Sequence, residues 1–254
     1  MTKLVDSHCH ITMLEDIAFS EVMENADNAG VSTMLCVSVY LPTFPDVLAT
    51  AERDQRIYAS VGVHPNTEMQ PDVTIEQLKI LANHPKVIAI GETGLDYFRS
   101  EGDLDWQRQR FRTHIQAAKS LEKPLIIHSR EAKHDTIKLL AEEGADTVGG
   151  VMHCFVEDWE TAQQVMALNF YISFSGIVTF KNANDLQAVA KLVPLEKMLI
   201  ETDSPYLAPV PKRGKQNQPA YVRHVAEFIA DLKSVSYEQV ADQTNYNFSQ
   251  LFNV

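Results

Sequence analysis

Two imidazoles set two residues apart, in Asp6-Ser7-His8-Cys9-His10, are the first residues in this chain whose spacing suggests chemistry. In an extended segment Leu4, Asp6, His8 and His10 point to one side, and Val5, Ser7 and Cys9 to the other. A buried strand ending in two same-side imidazoles makes a poor core. It is a good way to set two nitrogen donors around one cation, because histidine is the commonest protein metal ligand. His-x-His alone fits two hydrogen-bonded core histidines equally well. The case strengthens because His64, Glu92, His128, His153 and Asp203 recur at the ends of later apolar, β-rich runs. Each has an ordinary reading too: Glu92 after Gly91 can cap a loop, Asp203 before Ser204-Pro205 can start a turn, and His128 can bond a carbonyl. Converging at one end of five different strands, His8, His10, Glu92, His128, His153 and Asp203 can hold two transition-metal ions with one carboxylate between them. His84, His114, His134 and His224 lie in or beside helical segments and are read as solvated or hydrogen-bonded.

Positioning such a set requires elements that bring strand ends together. The chain alternates apolar, β-rich runs with helical patterns from end to end. Residues 3–10, 31–38, 57–64, 86–92, 124–128, 148–153, 170–175 and 197–203 read as strands. Residues 15–30, 44–53, 75–83, 105–121, 130–143, 158–168, 185–192, 219–232 and 237–252 read as helices, the first stopped by Gly30. Near-continuous apolar strands suit a parallel sheet covered on both faces. The pattern predicts one α/β domain over residues 1–254, a (β/α)8 TIM barrel with an extra C-terminal helix. A doubly wound open sheet lacks support, since no GxGxxG or P-loop follows the first strand. In such a barrel the carboxyl-terminal strand ends form the active face.

Composition narrows the function. At 254 residues and 45% hydrophobic, the chain can bury a large core. A net charge of −12 excludes a general nucleic-acid coat, so any phosphate contact is local or carried by bound cations. Three scattered cysteines without CxxC fit a reducing compartment. Neither a signal-peptide profile nor a transmembrane-length apolar run is present, so a cytoplasmic location without membrane or obligate protein partner is expected. The one compact basic cluster, Pro211-Lys-Arg-Gly-Lys-Gln-Asn-Gln-Pro219, follows the eighth strand. It reads either as a solvated turn or, from its place on the active face, as a mobile phosphate-binding loop. Glu201, on the same face as Asp203 but deeper, reads as a support and not a ligand.

Asp6-Ser7-His8-Cys9-His10, Gly62-Val63-His64-Pro65, Gly91-Glu92-Thr93-Gly94-Leu95-Asp96-Tyr97, His128-Ser129-Arg130, Met152-His153-Cys154-Phe155 and Glu201-Thr202-Asp203-Ser204-Pro205-Tyr206 together resemble the TatD family of metal-dependent deoxyribonucleases. The resemblance runs along essentially the whole chain and implies an amidohydrolase-type barrel that hydrolyses phosphodiester bonds of DNA exonucleolytically. By that resemblance His8, His10, Glu92, His128, His153 and Asp203 hold two divalent ions bridged by Glu92, and Asp203 also accepts the water proton. His64, Arg130, Arg213, Lys215 and Asn217 would contact substrate. Four imidazoles favour zinc or manganese over magnesium, although magnesium activation is a common family expectation. Gln218 stands where the family pattern has Glu, and Asn66 where histidine is frequent, which bears on substrate contact and leaves the metal set intact. A small-molecule amidohydrolase or an aminoacyl-tRNA esterase would use the same barrel, and a metal-free binding module is disfavoured by the complete donor set.

Overall fold

In the computed structural model, residues 3–68 and 70–254 are described. Eight strands, β1 (Leu4–Cys9), β2 (Val31–Cys36), β3 (Ile57–Val61), β4 (Val87–Asp96), β5 (Leu125–Arg130), β6 (Gly150–Met152), β7 (Phe170–Phe174) and β8 (Met198–Ile200), pair in chain order, every pair parallel. The ring closes through the backbone, where His10 N–H donates to Ser204 O at 2.8 Å and Asp203 N–H to His8 O at 2.9 Å. Helices α1 (Phe19–Ala29), α2 (Phe44–Arg53), α3 (Ile75–Ala82), α4 (Asp105–Leu121), α5 (Lys133–Glu142), α6 (Trp159–Ala167), α7 (Asn184–Leu192) and α8 (Val222–Lys233) follow the strands in turn, and α9 (Tyr237–Phe252) is extra. This is the expected (β/α)8 barrel with a C-terminal helix. No helix among the described residues is long and apolar enough to cross a membrane.

Two apolar layers hold it. One lies between strands and helices and includes Leu4, Met34, Ile57, Leu78, Phe111, Ile115, Leu139 and Val225. The other joins strand residues Val5, Leu35, Ala89, Ile126, Val151 and Leu199 to Phe248 and Phe252 of α9, so the extra helix packs on the strands' inward-facing layer. Helix ends obey local signals. Gly30 caps α1 in the left-handed region (φ 81°), while Thr74 with Gln77 and Ser236 with Gln239 form capping boxes that start α3 and α9.

Element existence matches the sequence reading, and the ends differ for specific reasons. The alternation expected along β1 breaks, because its register against β2 shifts between Leu4 and Val5 and between Asp6 and Cys9. Leu4 and Cys9 therefore share the helix-facing layer while Val5 faces the other. Helix α1 starts at Phe19, not Glu15, because the Glu15 backbone pairs in both directions with the Gln216 amide (2.9 and 2.7 Å). Strand β4 runs on to Asp96, bonded alongside β5 as far as Arg130. Strands β3 and β8 stop short, leaving His64, Glu201 and Asp203 on the loops that follow. Replacing Phe248, 1% exposed, with Ala removes a large part of the layer joining α9 to the strands. It is expected to lower the unfolding free energy by about 3–5 kcal/mol in denaturant titration. A change under about 1 kcal/mol would mean that α9 does not stabilise the barrel.

Candidate metal centre

Glu92 is the hub. It sits on β4 after Gly91, whose φ of +149° excludes most side chains and whose Cβ would lie 2.7 Å from Ile126 Cβ. Two residues on, a Cβ at Gly94 would lie 2.0 Å from His128 O. Glycine at both places lets β4 lie against β5, which brings His128 to Glu92. At 3% exposure, Glu92 faces a different donor set with each oxygen. Oε2 lies 3.3 Å from His8 Nε2 and 3.9 Å from His10 Nε2, and those nitrogens lie 3.7 and 3.4 Å from Asp203 Oδ1. Oε1 lies 2.9 Å from His153 Nε2, 3.1 Å from His128 Nδ1 and 3.4 Å from His64 Nε2.

The imidazoles are oriented from behind, as metal ligands usually are. His10 Nδ1 lies 3.0 Å from Val37 O, His153 Nδ1 3.3 Å from Glu201 Oε1, and His128 Nε2 3.1 Å from Asp96 Oδ2. Each outer nitrogen faces a group that only accepts once the carboxylates are ionised, so it carries a hydrogen and the inner nitrogen is the one that can turn a lone pair to a cation once its own proton has left. His8 Nε2 and His10 Nε2 are 3.2 Å apart. Two lone pairs held that close repel unless a proton or a cation lies between them. The spacing matches the edge of a tetrahedron around an ion at about 2.0–2.1 Å, which is about 3.3 Å. The residues present therefore could hold an ion among His8, His10 and Glu92, with Asp203 beside them, and His64, Glu92 and His128 form a second such group, with His153 on the same Glu92 oxygen.

Charge balance agrees. Burial would push the Glu92 carboxyl up, but the charge of His153 and hydrogen bonds from His128 and His153 hold it well below the usual range. Burial also opposes ionisation of Asp203, yet a hydrogen bond from His10 and the charges of His8 and His153 keep its carboxyl low. Against burial, Glu92 and Glu201 hold His153 well above the ordinary imidazole value, and Asp203 raises His10. His64 goes the other way: burial takes it down to about 4, so it is neutral.

The six residues expected to hold metal converge here, and His64, expected at substrate, joins Glu92 and His128 in the second group. Arg130 ends β5 with its guanidinium 4.1 Å over the Phe98 ring. Arg213 and Lys215 are exposed on the loop after β8, with Arg213 stacked 3.7 Å over Phe180. Asn217 departs from expectation. It is fully buried and its amide donates to Thr202 O (2.8 Å) and Tyr206 O (2.6 Å), so it braces the loop and does not face a ligand. With Gln216 tied to Glu15, the loop expected to be mobile is pinned at its distal end, and Arg213 and Lys215 lie on the stretch before the pins. Glu201 Oε1 accepts from Cys154 N–H at 2.7 Å as well as facing His153, and with His8 and His153 it makes a further group that could hold an ion.

Two supporting residues escaped the sequence reading. Asp96 orients His128, and the signal was its even spacing from Glu92 on a strand longer than expected. Asp6 accepts from Thr202 N–H (2.8 Å) and Oγ1–H (2.6 Å), setting the turn in which Asp203 takes φ 57°. Of the remaining histidines, buried His114 accepts from Val63 N–H at 3.1 Å and bonds Arg110 O at 2.8 Å, which steadies the segment before His64.

Because His153, His10 and His128 hold protons above the ordinary imidazole range, metal uptake must displace protons. Apparent metal affinity should therefore rise with pH across the neutral range. Calorimetry in buffers of different ionisation enthalpy should detect about one or more protons released per ion. Binding without proton release would contradict this protonation pattern.

The family model described as "TatD related DNase" matches residues 5–253. The "Uncharacterized metal-dependent hydrolase YcfH" of Escherichia coli K12 is 46% identical over 256 residues, covering 99% of this chain and 96% of the relative. The "Uncharacterized metal-dependent hydrolase YabD" of Bacillus subtilis is 43% identical over 255 residues, covering 99% of each. Among solved structures, YJJV, a TatD homolog from Escherichia coli K12, is similar with a TM-score of 0.91 at 29% identity, over 100% of this chain and 99% of that one. With a family match over nearly its whole length and a barrel of the same shape, the chain belongs to the TatD-related DNase family.

Proposed function

We propose that this protein is a two-metal hydrolase that cleaves phosphodiester bonds of DNA from chain ends. The carrying observation is Glu92, whose oxygens divide the donors into two sets. The family description supports DNA as substrate, and the family resemblance alone supports the exonucleolytic mode. The charge pattern is compatible: Arg130, Lys212, Arg213 and Lys215 follow the strands on the active face and form no ion pair among the described residues. In a chain of net charge −12, these are local phosphate contacts.

When bound, two divalent ions neutralise phosphate oxygens and acidify a water. This chain's own residues then handle orientation and protons. His10, His128 and His153 would offer the lone pair of the inner nitrogen to an ion, because their outer nitrogens are committed behind them, whereas the buried Nδ1 of His8 has no partner among the described residues. Hydrolysis joins the water oxygen to phosphorus and breaks one P–O bond to a sugar. Asp203, whose Oδ1 lies 3.4 Å from His10 Nε2, takes the water proton, which then passes to the leaving alkoxide. His64, neutral and beside Glu92, offers a hydrogen bond to a phosphate oxygen without adding charge.

Asp203→Asn keeps the shape and a coordinating oxygen but loses the proton acceptor. Turnover on end-labelled DNA at saturating metal should fall about 10²-fold or more while metal content is largely retained. Near-normal turnover with metal bound would remove Asp203 as the base. Hydrolysis of an aminoacyl ester or an amide with DNA left intact by the wild type, across a metal series, would overturn the substrate assignment. Replacing Arg213 and Lys215 together with Ala should reduce the log–log salt slope of DNA binding by about 1–2 units. An unchanged slope would return this loop to an ordinary solvated turn.

A further inference from the structure

Two large aromatic rings stand in water at the active face, and the metal centre does not need them. Tyr206 is 56% exposed and Phe98 55%. Singly exposed apolar residues are common and mean little by themselves, so position must decide. Tyr206 directly follows the Asp203 turn, and its ring centroid is 6.5 Å from that of His10. Its backbone is held on both sides: the N–H donates to Asp203 O at 3.0 Å and the carbonyl accepts from Asn217 Nδ2 at 2.6 Å. Phe98 is tied in a parallel way to the other donor set. Its N–H donates to Asp96 Oδ1 at 3.0 Å, and the second oxygen of that carboxylate holds His128 at 3.1 Å. That same oxygen accepts from Asn66 Nδ2 at 2.7 Å, and Asn66 in turn accepts from Ser100 Oγ, so the Phe98 loop is braced from two directions.

Each ring is thus tied through its backbone to a different side of the Glu92 cluster, Tyr206 directly to Asp203 and Phe98 through Asp96 to His128, and each is more than half exposed. A fixed backbone reduces what must be ordered on binding. A cation lies against one ring and others follow the second along the chain. The Arg130 guanidinium lies over one face of Phe98, and Lys212, Arg213 and Lys215 follow Tyr206 on the same loop. Flat apolar faces interleaved with unpaired cations are the equipment for unpaired nucleobases, which stack on aromatics while their phosphates meet the charge. A base inside a duplex has both faces covered by its neighbours and cannot use such a ring.

We propose that Tyr206 and Phe98 are stacking platforms for the nucleobases on the two sides of the scissile phosphate, and so determine which ends this enzyme accepts. The inference rests on the nuclease reading above, and its test separates the two. Short single-stranded oligonucleotides are prepared with the base on one or the other side of the terminal phosphodiester replaced by an abasic tetrahydrofuran residue. Removing a stacked base should raise the wild-type KM about tenfold or more. Tyr206→Leu should abolish the dependence on one base position and Phe98→Leu on the other, whereas Tyr206→Phe should retain it. Metal content should stay the same in all three, which a loss of site structure would not allow. A second arm needs no cleavage. With the metal chelated, 2-aminopurine at the terminal position should be quenched by the wild type and less so by the Leu variants. Cleavage with no base dependence, or Leu variants that keep it, would overturn the platforms and leave the nuclease reading standing. Quenching that depends on the rings, without cleavage by the wild type under any metal, would keep the platforms and sink the nuclease reading. Neither quenching nor base dependence would sink the platforms outright.

Discussion

A buried carboxylate cannot stay ionised without compensation, and Glu92 is that carboxylate. At 3% exposure it has five imidazole nitrogens between 2.9 and 3.9 Å from its two oxygens. Much of the upper barrel can be read as what keeps this arrangement in place. The glycines on β4 let the strand lie against its neighbour, and the imidazoles arrive from β1, β5 and the loops after β1, β3 and β6. Asp203, from the loop after β8, completes the side of the cluster that His8 and His10 open.

Compensation is layered. Behind the donors stand Val37 O, Asp96 and Glu201, each fixing one ring by its outer nitrogen. Behind these stand further partners: Asn66 and the backbone of Phe98 and Arg99 on Asp96, and Cys154 N–H on Glu201. The same order appears at β8, where Asp6 sets the Thr202 turn and the turn sets Asp203. Rings whose outer nitrogens are committed cannot rotate to bond one another, which is what preorganisation for a cation means in structural terms. The loops carrying Tyr206 and Phe98 are extensions of these two chains of support, so their backbones are held by the same partners that brace the Glu92 cluster.

The opposite end of the barrel does a different job. Phe248 and Phe252 of α9 join the strands' inward-facing layer, so stability comes from one end and chemistry from the other. This division lets the active face keep exposed aromatics and unpaired cations that a core could not hold.

By itself the sequence determined the eight strand–helix alternations, the extra helix at 237–252 and six donor residues that converge at one end of the barrel. Those features are local: hydrophobic period, glycine and capping signals, and side chains with metal affinity at strand ends are written in short windows. Tertiary structure decided the rest. Whether Asp203 faced His8 and His10 depended on Asp6, 196 residues away from Thr202 in the chain. That Asn217 is a buried brace depended on which carbonyls came within reach of its amide. That β1 would lose its alternation depended on its register against β2. A long-range hydrogen bond or a shifted register leaves no mark on the residues nearby, because its partner is chosen by the closure of the barrel and not by adjacent sequence.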